Sequence, residues 1–169
     1  MRGAMTTARG TKGREGGERL VAQNRRATFD YEIEDRFEAG MALMGSEVKS
    51  LRAGRCEIGD AYATIEGREL WLHQLYIAPF EQAAHFGHEP RRKRKLLLHR
   101  AELTRIGKSL ERGGWTLIAI RVCFKDGRAK VELGLARGRS HGDKRQAIAK
   151  KTADREARDA IGRAMKGKR

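Results

Sequence analysis

Asp30, Glu32 and Glu34 stand at alternate positions of TFDYEIED, with Asp35 and Glu38 close behind. Carboxylates in such a row can gather Mg²⁺ at a phosphate, as a metal-dependent nuclease requires. The same spacing describes the solvated face of a strand, and nothing downstream completes a metal constellation. His85 and His88 form HFGH, two of the four ligands that zinc asks for, while Cys56 and Cys123 lie in other segments without paired spacing. No metal is expected. His73, inside an apolar run, reads as a core or sheet-edge residue. No nucleophile elbow, phosphate-cradling glycine loop or dinucleotide fingerprint occurs.

The cations are a stronger signal. Arg91, Arg92, Lys93, Arg94 and Lys95 are consecutive and run directly into Leu96-Leu97-Leu98, which should anchor them to a core. Five adjacent positive charges repel one another and favour a phosphate backbone, and a strip fixed to a rigid body loses less order on binding. A second group lies in GRSHGDKRQAIAKK, residues 138–151, where Arg139, His141, Asp143, Lys144, Arg145, Lys150 and Lys151 surround one large apolar residue, Ile148.

The whole-chain charge follows the same division. Of 37 Lys and Arg and 22 Asp and Glu, residues 20–136 hold 20 and 16, so the middle is nearly balanced. Residues 1–19 hold five basic and two acidic residues, and residues 137–169 hold twelve and four. A balanced middle with basic ends reads as a folded domain with polyanion-seeking arms. No run of about 18 apolar residues suggests a membrane span, and the start has no apolar stretch of the secretory kind. Two cysteines fit free thiols in a reducing cytosol, so a cytoplasmic protein is expected.

These side chains need elements to hold them. Residues 1–19 are rich in Gly, Thr and charge and are expected to be disordered. In TFDYEIED, Phe29, Tyr31 and Ile33 alternate with acids, a half-buried strand continued by FEAGMALMG with a bulge expected near Gly40. SEVKSLRAG reads as a short helix capped by Ser46 and ended by Gly54, with a strand as the alternative. AYATIE and ELWLHQLYIA form a hairpin around Glu66-Gly67-Arg68-Glu69. HRAELTRIGKSLERGG is a helix with Leu103, Ile106 and Leu110 on one face, stopped at Gly113-Gly114. WTLIAIRVCF and AKVELGLA are strands joined by Lys125-Asp126-Gly127-Arg128, a type I′ signal.

Tight-turned strands with few helices and no βαβ alternation predict a mainly β fold, a small antiparallel barrel with short helices. Its interior would draw on Phe29, Tyr31, Ile33, Leu72, Leu75, Ile77, Trp115, Leu117, Ile120, Val122, Val131 and Leu133. With 6% aromatic residues, most of them alternating inward, exposed stacking platforms are not expected. After Ala136 the strand pattern stops. Ala153, Ala157, Ala160, Ile161, Ala164 and Met165 make a thin helical stripe, so residues 137–169 are expected to be disordered alone and helical on a partner.

AQNRRATFDYEI, FEAGMAL, GSEVKSLRAGR, PRRKRKLLLHRAEL, GRAKVELGLARG and DKR, in this order and spacing, resemble the SsrA-binding protein (small protein B) family, bacterial partners of transfer-messenger RNA. The resemblance runs from about Val21 to the end of the tail. It implies an oligonucleotide-binding-type (OB-fold-like) barrel with flanking helices, no catalysis and no cofactor. It implies a monomer that binds the transfer-RNA-like domain of transfer-messenger RNA and enters stalled ribosomes with elongation factor Tu. The tail would lie in the empty messenger channel against small-subunit ribosomal RNA. By position, the RNA-binding face would include Asn24, Arg25, Tyr31, Glu38, Lys49, Lys95, Leu97 and His99. Asp143-Lys144-Arg145 match the family's decoding-centre motif. Two departures stand out: Gly138-Arg139-Ser140 replaces the usual Gly-Lys-Lys, and Gly142 occupies the place of a ring, with His141 one position earlier. A metal-dependent ribonuclease and a generic ribosomal or single-strand-binding protein are the rival classes.

Overall fold

A computed structural model describes residues 17–82 and 87–166, the side chains of His141 and Lys166 aside. The order is β1 (Arg19–Gln23), α1 (Ala27–Asp30), β2 (Tyr31–Met41), α2 (Gly45–Arg52), β3 (Cys56–Glu57), β4 (Tyr62–Glu66), β5 (Glu69–His73), β6 (Tyr76–Ile77), β7 (Arg94–Leu97), α3 (Arg100–Glu111), β8 (Thr116–Lys125), β9 (Arg128–Gly138) and α4 (His141–Lys166).

Local chemistry sets these boundaries. Asp126 and Gly127 adopt φ of 50° and 75°, the two left-handed positions of the tight β8–β9 turn. Gln74 at φ 59° breaks the long ELWLHQLYIA run into β5 and β6. α2 begins one residue before Ser46; the cap comes from Glu47, whose Oε2 accepts the Met44 N–H at 2.8 Å, leaving the Ser46 hydroxyl free for His88. Gly54 at φ 75° ends the helix as expected.

All pairings are antiparallel, and the ladder returns to its start. β8 pairs with β4 (Ile118 opposite Tyr62), β4 with β5, β5 with β7 (Trp71 opposite Lys95), β7 with β2 (Leu97 opposite Gly40), β2 with β9, and β9 with β8. β1 lies on the second half of β8, and β3 and β6 form a separate pair. The core inside this ring contains Phe37, Leu70, Leu72, Leu96, Leu117, Val122, Val131 and Leu133, closed by Leu51 of α2 and Ile106 of α3.

Several expectations change. β1 was not foreseen, and α1 replaces the start of the expected strand. The bulge lies between Ile33 and Asp35, not near Gly40. Because side chains alternate with period two, one extra residue exchanges the faces of a strand. Phe37, Ala39 and Met41 therefore enter the core. Tyr31 and Ile33 pack instead on a second small cluster of Ala27, Ile118 and Ala136. Phe29 and Trp115 are only half-buried. A matching register shift in β8 falls between Ala119 and Arg121, and Ile120 there lies against Gly134. A Cβ built on Gly134 would sit 2.7 Å from Ile120 Cδ1 and 3.2 Å from Ile33 Cγ2, so a side chain here would force both isoleucines to shift.

The tail, expected to be helical on a partner, forms one continuous helix here, α4. Ser140 starts it: its Oγ accepts the Asp143 N–H at 3.3 Å and donates to Asp143 Oδ2 at 2.7 Å. Ala, Lys, Arg and Glu favour the helix, and Asp154–Arg158 and Asp159–Arg163 stand at supporting i, i+4 spacing. The helix still buries almost nothing: Ile148, Ile161 and Met165 are 47%, 58% and 75% exposed. Among the described residues no helix is long and apolar enough to cross a membrane.

Candidate nucleic-acid interface

The run of five cations is not one strip. β7 is extended, so alternate side chains face opposite ways, and Arg94 turns inward, fully buried. Its Nε donates to Glu47 Oε1 at 2.8 Å and its Nη1 to the Leu75 carbonyl at 2.6 Å. Arg92 reaches the same carboxylate, Nε to Oε1 at 2.8 Å and Nη2 to Oε2 at 2.6 Å. Burial by itself would push the Glu47 carboxyl up. The bonds from Arg92 and the Met44 N–H, with the charge of Arg94, outweigh it and hold the group below its ordinary value. Beside this cluster His88 is buried, its ring nitrogens bonded to Ser46 Oγ at 2.9 Å and the Ile77 carbonyl at 3.0 Å. Arg94 therefore leaves the phosphate-facing set, because its charge is spent on Glu47. Arg92 is largely committed in the same way, and Arg91, Lys93 and Lys95 remain toward solvent.

The other candidates fall at two ends of β2. At its C-terminal end, Leu97 is 55% exposed beside Gly40 and lines a groove of about 330 Å³ with Leu43, Val48, Arg128 and Lys130. Lys49 follows Val48 on α2, and its ammonium lies 5.2 Å from the centroid of the Phe80 ring. His99 is exposed at the start of α3. Lys95 pairs with Glu69, and Glu38 accepts from Lys125 Nζ at 3.1 Å. That hydrogen bond holds the Lys125 ammonium above its ordinary value. Glu38 is thus already paired with a cation.

Asn24, Arg25 and Tyr31 lie elsewhere. Tyr31 is nine residues from Gly40, about 30 Å at strand rise. Asn24 Oδ1 accepts the Arg26 and Ala27 N–H groups at 3.2 Å each, and its amide donates to the Gly59 carbonyl at 3.3 Å, so the side chain is engaged in shaping α1. Arg25 is exposed, and Tyr31 is half-buried in the small cluster.

Most of the acidic row is paired with cations: Glu32 with Arg137 at 3.0 Å, Asp35 with Arg105 of α3, Glu38 with Lys125 at 3.1 Å and Asp30 with Lys144 at 3.8 Å, while Glu132 of β9 holds Arg36 and Arg121. Among the described residues no three His, Cys, Asp or Glu converge as a metal would require. His85 lies outside those residues. Cys56 and Cys123 are free thiols, and burial pushes Cys56 up to about 12, a poor nucleophile or ligand.

At the root of α4 the body and tail share contacts. The Arg139 N–H donates to the Asp30 carbonyl at 3.1 Å, and Lys144 Nζ lies 3.8 Å from Asp30 Oδ1. The hydrogen bond from Ser140 holds the Asp143 carboxyl below its ordinary value. Arg139, Asp143 and Lys150 line one groove with Glu32 and Arg137, while Arg145 and Lys151 point to solvent.

Residues 21–163 match the family model described as SmpB protein. The chain belongs to the SmpB family. It is 54% identical over 154 residues to the SsrA-binding protein of Anaeromyxobacter sp. strain K, covering 91% of this chain and 94% of that one. It is 50% identical over 155 residues to the SsrA-binding protein of Frankia casuarinae, covering 92% and 98%. A solved structure described as "tmRNA-SmpB: a journey to the center of the bacterial ribosome" is similar at a TM-score of 0.61 and 48% identity, over 75% of this chain and 93% of that chain.

On this SmpB fold, sequence reasoning missed two groups. Arg128 was read only as turn chemistry and Lys130 only as part of a strand, yet both line the Leu97 groove. The aromatic rings do not mostly point inward: Tyr62, Trp71, Tyr76 and Trp115 are all partly exposed. Cations cover several of them, with Lys93 4.8 Å from the Trp71 centroid, Arg91 5.4 Å from Tyr76 and Arg137 5.2 Å from Trp115. The period-two alternation of YATIE and ELWLH carries the signal, had the small residue Ala63 been taken as the inward partner of Leu72.

Proposed function

We propose that this chain is a non-enzymatic RNA-binding adaptor that binds the tRNA-like domain of tmRNA and delivers it to stalled ribosomes for trans-translation. The observation that carries this reading is the 48% identity, over 93% of its length, with an SmpB chain described with tmRNA in the bacterial ribosome. The geometry fits the task. A structured RNA offers phosphates, 2′-hydroxyls and a few accessible base edges, and is recognised by shape and backbone. The Leu97 groove supplies an apolar floor lined also by Arg128 and Lys130, on a rigid sheet and a short helix, with Lys49 next to the lining residue Val48 in sequence and Lys125 next to Phe124. Glu38, held by Lys125, can accept from a base amino group or a ribose hydroxyl.

The tail does different work. α4 projects Arg145 and Lys151 to solvent on a helix whose apolar stripe is thin, which suits a channel walled by ribosomal RNA. Asp143, Lys144 and Arg145 at its root would meet the decoding centre of the small subunit. In this reading the protein acts in the cytoplasm as a monomer. It meets elongation factor Tu through the charged RNA. The test is to purify the protein from its native cells and sequence the RNA that accompanies it. Strong enrichment of tmRNA is expected. Recovery of bulk RNA in proportion to abundance would overturn the reading in favour of a generic RNA binder.

A further inference from the structure

Tyr62 is 39% exposed and stacks on His73, its cross-strand partner in β4–β5, with centroids 5.1 Å apart and planes within 15°. Thr64 Oγ1 bonds His73 Nε2 at 2.7 Å, which pins the lower ring. On the same outer face Trp71 stands between Thr64 and Lys95, beneath the Lys93 ammonium. Past the end of β5, Arg91 lies over Tyr76 and donates a 3.4 Å bond to the Gln74 carbonyl. The core beneath is built by Ala63, Leu70 and Leu72 from the opposite faces of these strands, so the outer rings are not needed to close it.

We propose that the outer face of β4, β5 and β7 is a stacking site for an unpaired RNA nucleotide, with the base on Tyr62 and the adjoining phosphates at Lys93 and Arg91. Every base has a π face, so such a platform accepts nucleotides with little regard to sequence, but only where the base is free of a duplex. The interleaving of rings and cations, on a chain of net charge +15, selects a polyanion with aromatic units over an apolar protein partner. Lys93 now pairs with Glu66 at 2.7 Å, and a phosphate would share or replace that contact. The proposal rests on the RNA-binding reading and uses the β4–β5 side of this face, beyond the Leu97 groove.

The experiment uses the full chain and an unstructured uridine octamer, with the tRNA-like domain of tmRNA as the second ligand. Added octamer is expected to shift the ring resonances of Tyr62 and His73 in the wild-type protein. Tyr62→Leu should weaken octamer binding roughly fivefold to a hundredfold, the worth of one stacked base. Tyr62→Phe should retain it, and both variants should keep the wild-type melting temperature. Unchanged ring resonances, or octamer binding by Tyr62→Leu equal to wild type, would overturn the stacking site while tRNA-like domain binding persists. Failure of the wild-type chain to bind either RNA would overturn the adaptor reading as well.

Discussion

Glu47 holds two guanidinium groups with one buried carboxylate, which makes it a sensitive position in the body. Replacing it by Gln keeps the shape but leaves Arg94 charged and enclosed. Breaking a buried pair from one side costs about 3–5 kcal/mol, so Glu47→Gln should melt well below the wild type. The pH dependence has a definite sign. Because the folded carboxyl titrates below its ordinary 4.5, its contribution is complete above that value and is lost as pH falls through the lower, folded one. Acid unfolding followed by circular dichroism should show this loss in the wild type and a flatter acid limb in Glu47→Gln. An unchanged acid limb would show that Glu47 is not the group being titrated. At the tail's root the stakes are functional. Lys144→Ala combined with Arg145→Ala removes two cations of which only Lys144 approaches a body residue, Asp30, at 3.8 Å. Stability should shift by less than about 1 kcal/mol, since exposed pairs contribute little. Peptide transfer to charged tmRNA on stalled ribosomes should stop. Normal transfer with intact folding would remove these two residues from the decoding step.

Elements show what the sequence could and could not reveal. The two hairpins were legible because Gly67 and Asp126-Gly127 carry backbone conformations that few other residues accept. α3 was legible from its single apolar face, of which Ile106 is the buried centre. The bulges were not, since an extra residue leaves no composition signature while it moves Tyr31 and Ile33 off the core. The cation run was read correctly as basic but not as divided, because the buried partner, Glu47, is 45 residues from Arg92 in the chain. Gly134 belongs to the same hidden geometry. Gly134→Ala should destabilise by about 1–3 kcal/mol, as overpacking does, through Ile120 and Ile33. A denaturant midpoint equal to wild type would mean that the bulged strands give way easily. For α4 the exposure of Ile148, Ile161 and Met165 decides. A helix without a packed face is marginal in water, so amides of residues 147–165 should exchange far faster than those of β8 and β9. Protection matching the barrel strands would mean that the tail is held by contacts beyond its root.

The whole molecule separates a nearly neutral, closed sheet from a basic helix that leans on it near its root, from Asp30 to the groove that Lys150 shares with Glu32 and Arg137. If the two parts bind different RNA surfaces, their contributions to salt dependence must separate too. Each phosphate neutralised lowers the affinity with salt by a log–log slope of about 0.7 to 0.9. Ending the chain at Gly138, where β9 finishes, removes eleven Lys and Arg and four acidic residues. On the free tRNA-like domain of tmRNA, the shortened chain should bind with nearly the full-length affinity and the same slope, because Lys49, Lys125, Arg128 and Lys130 remain on the sheet and α2. On stalled ribosomes it should deliver no tag. A slope shallower by one or more phosphates in the gel shifts would place part of α4 on tmRNA itself, and the division between a gripping body and a probing tail would fail. An unchanged slope together with retained tagging would fail it from the other side, because the tail would then have no work to do.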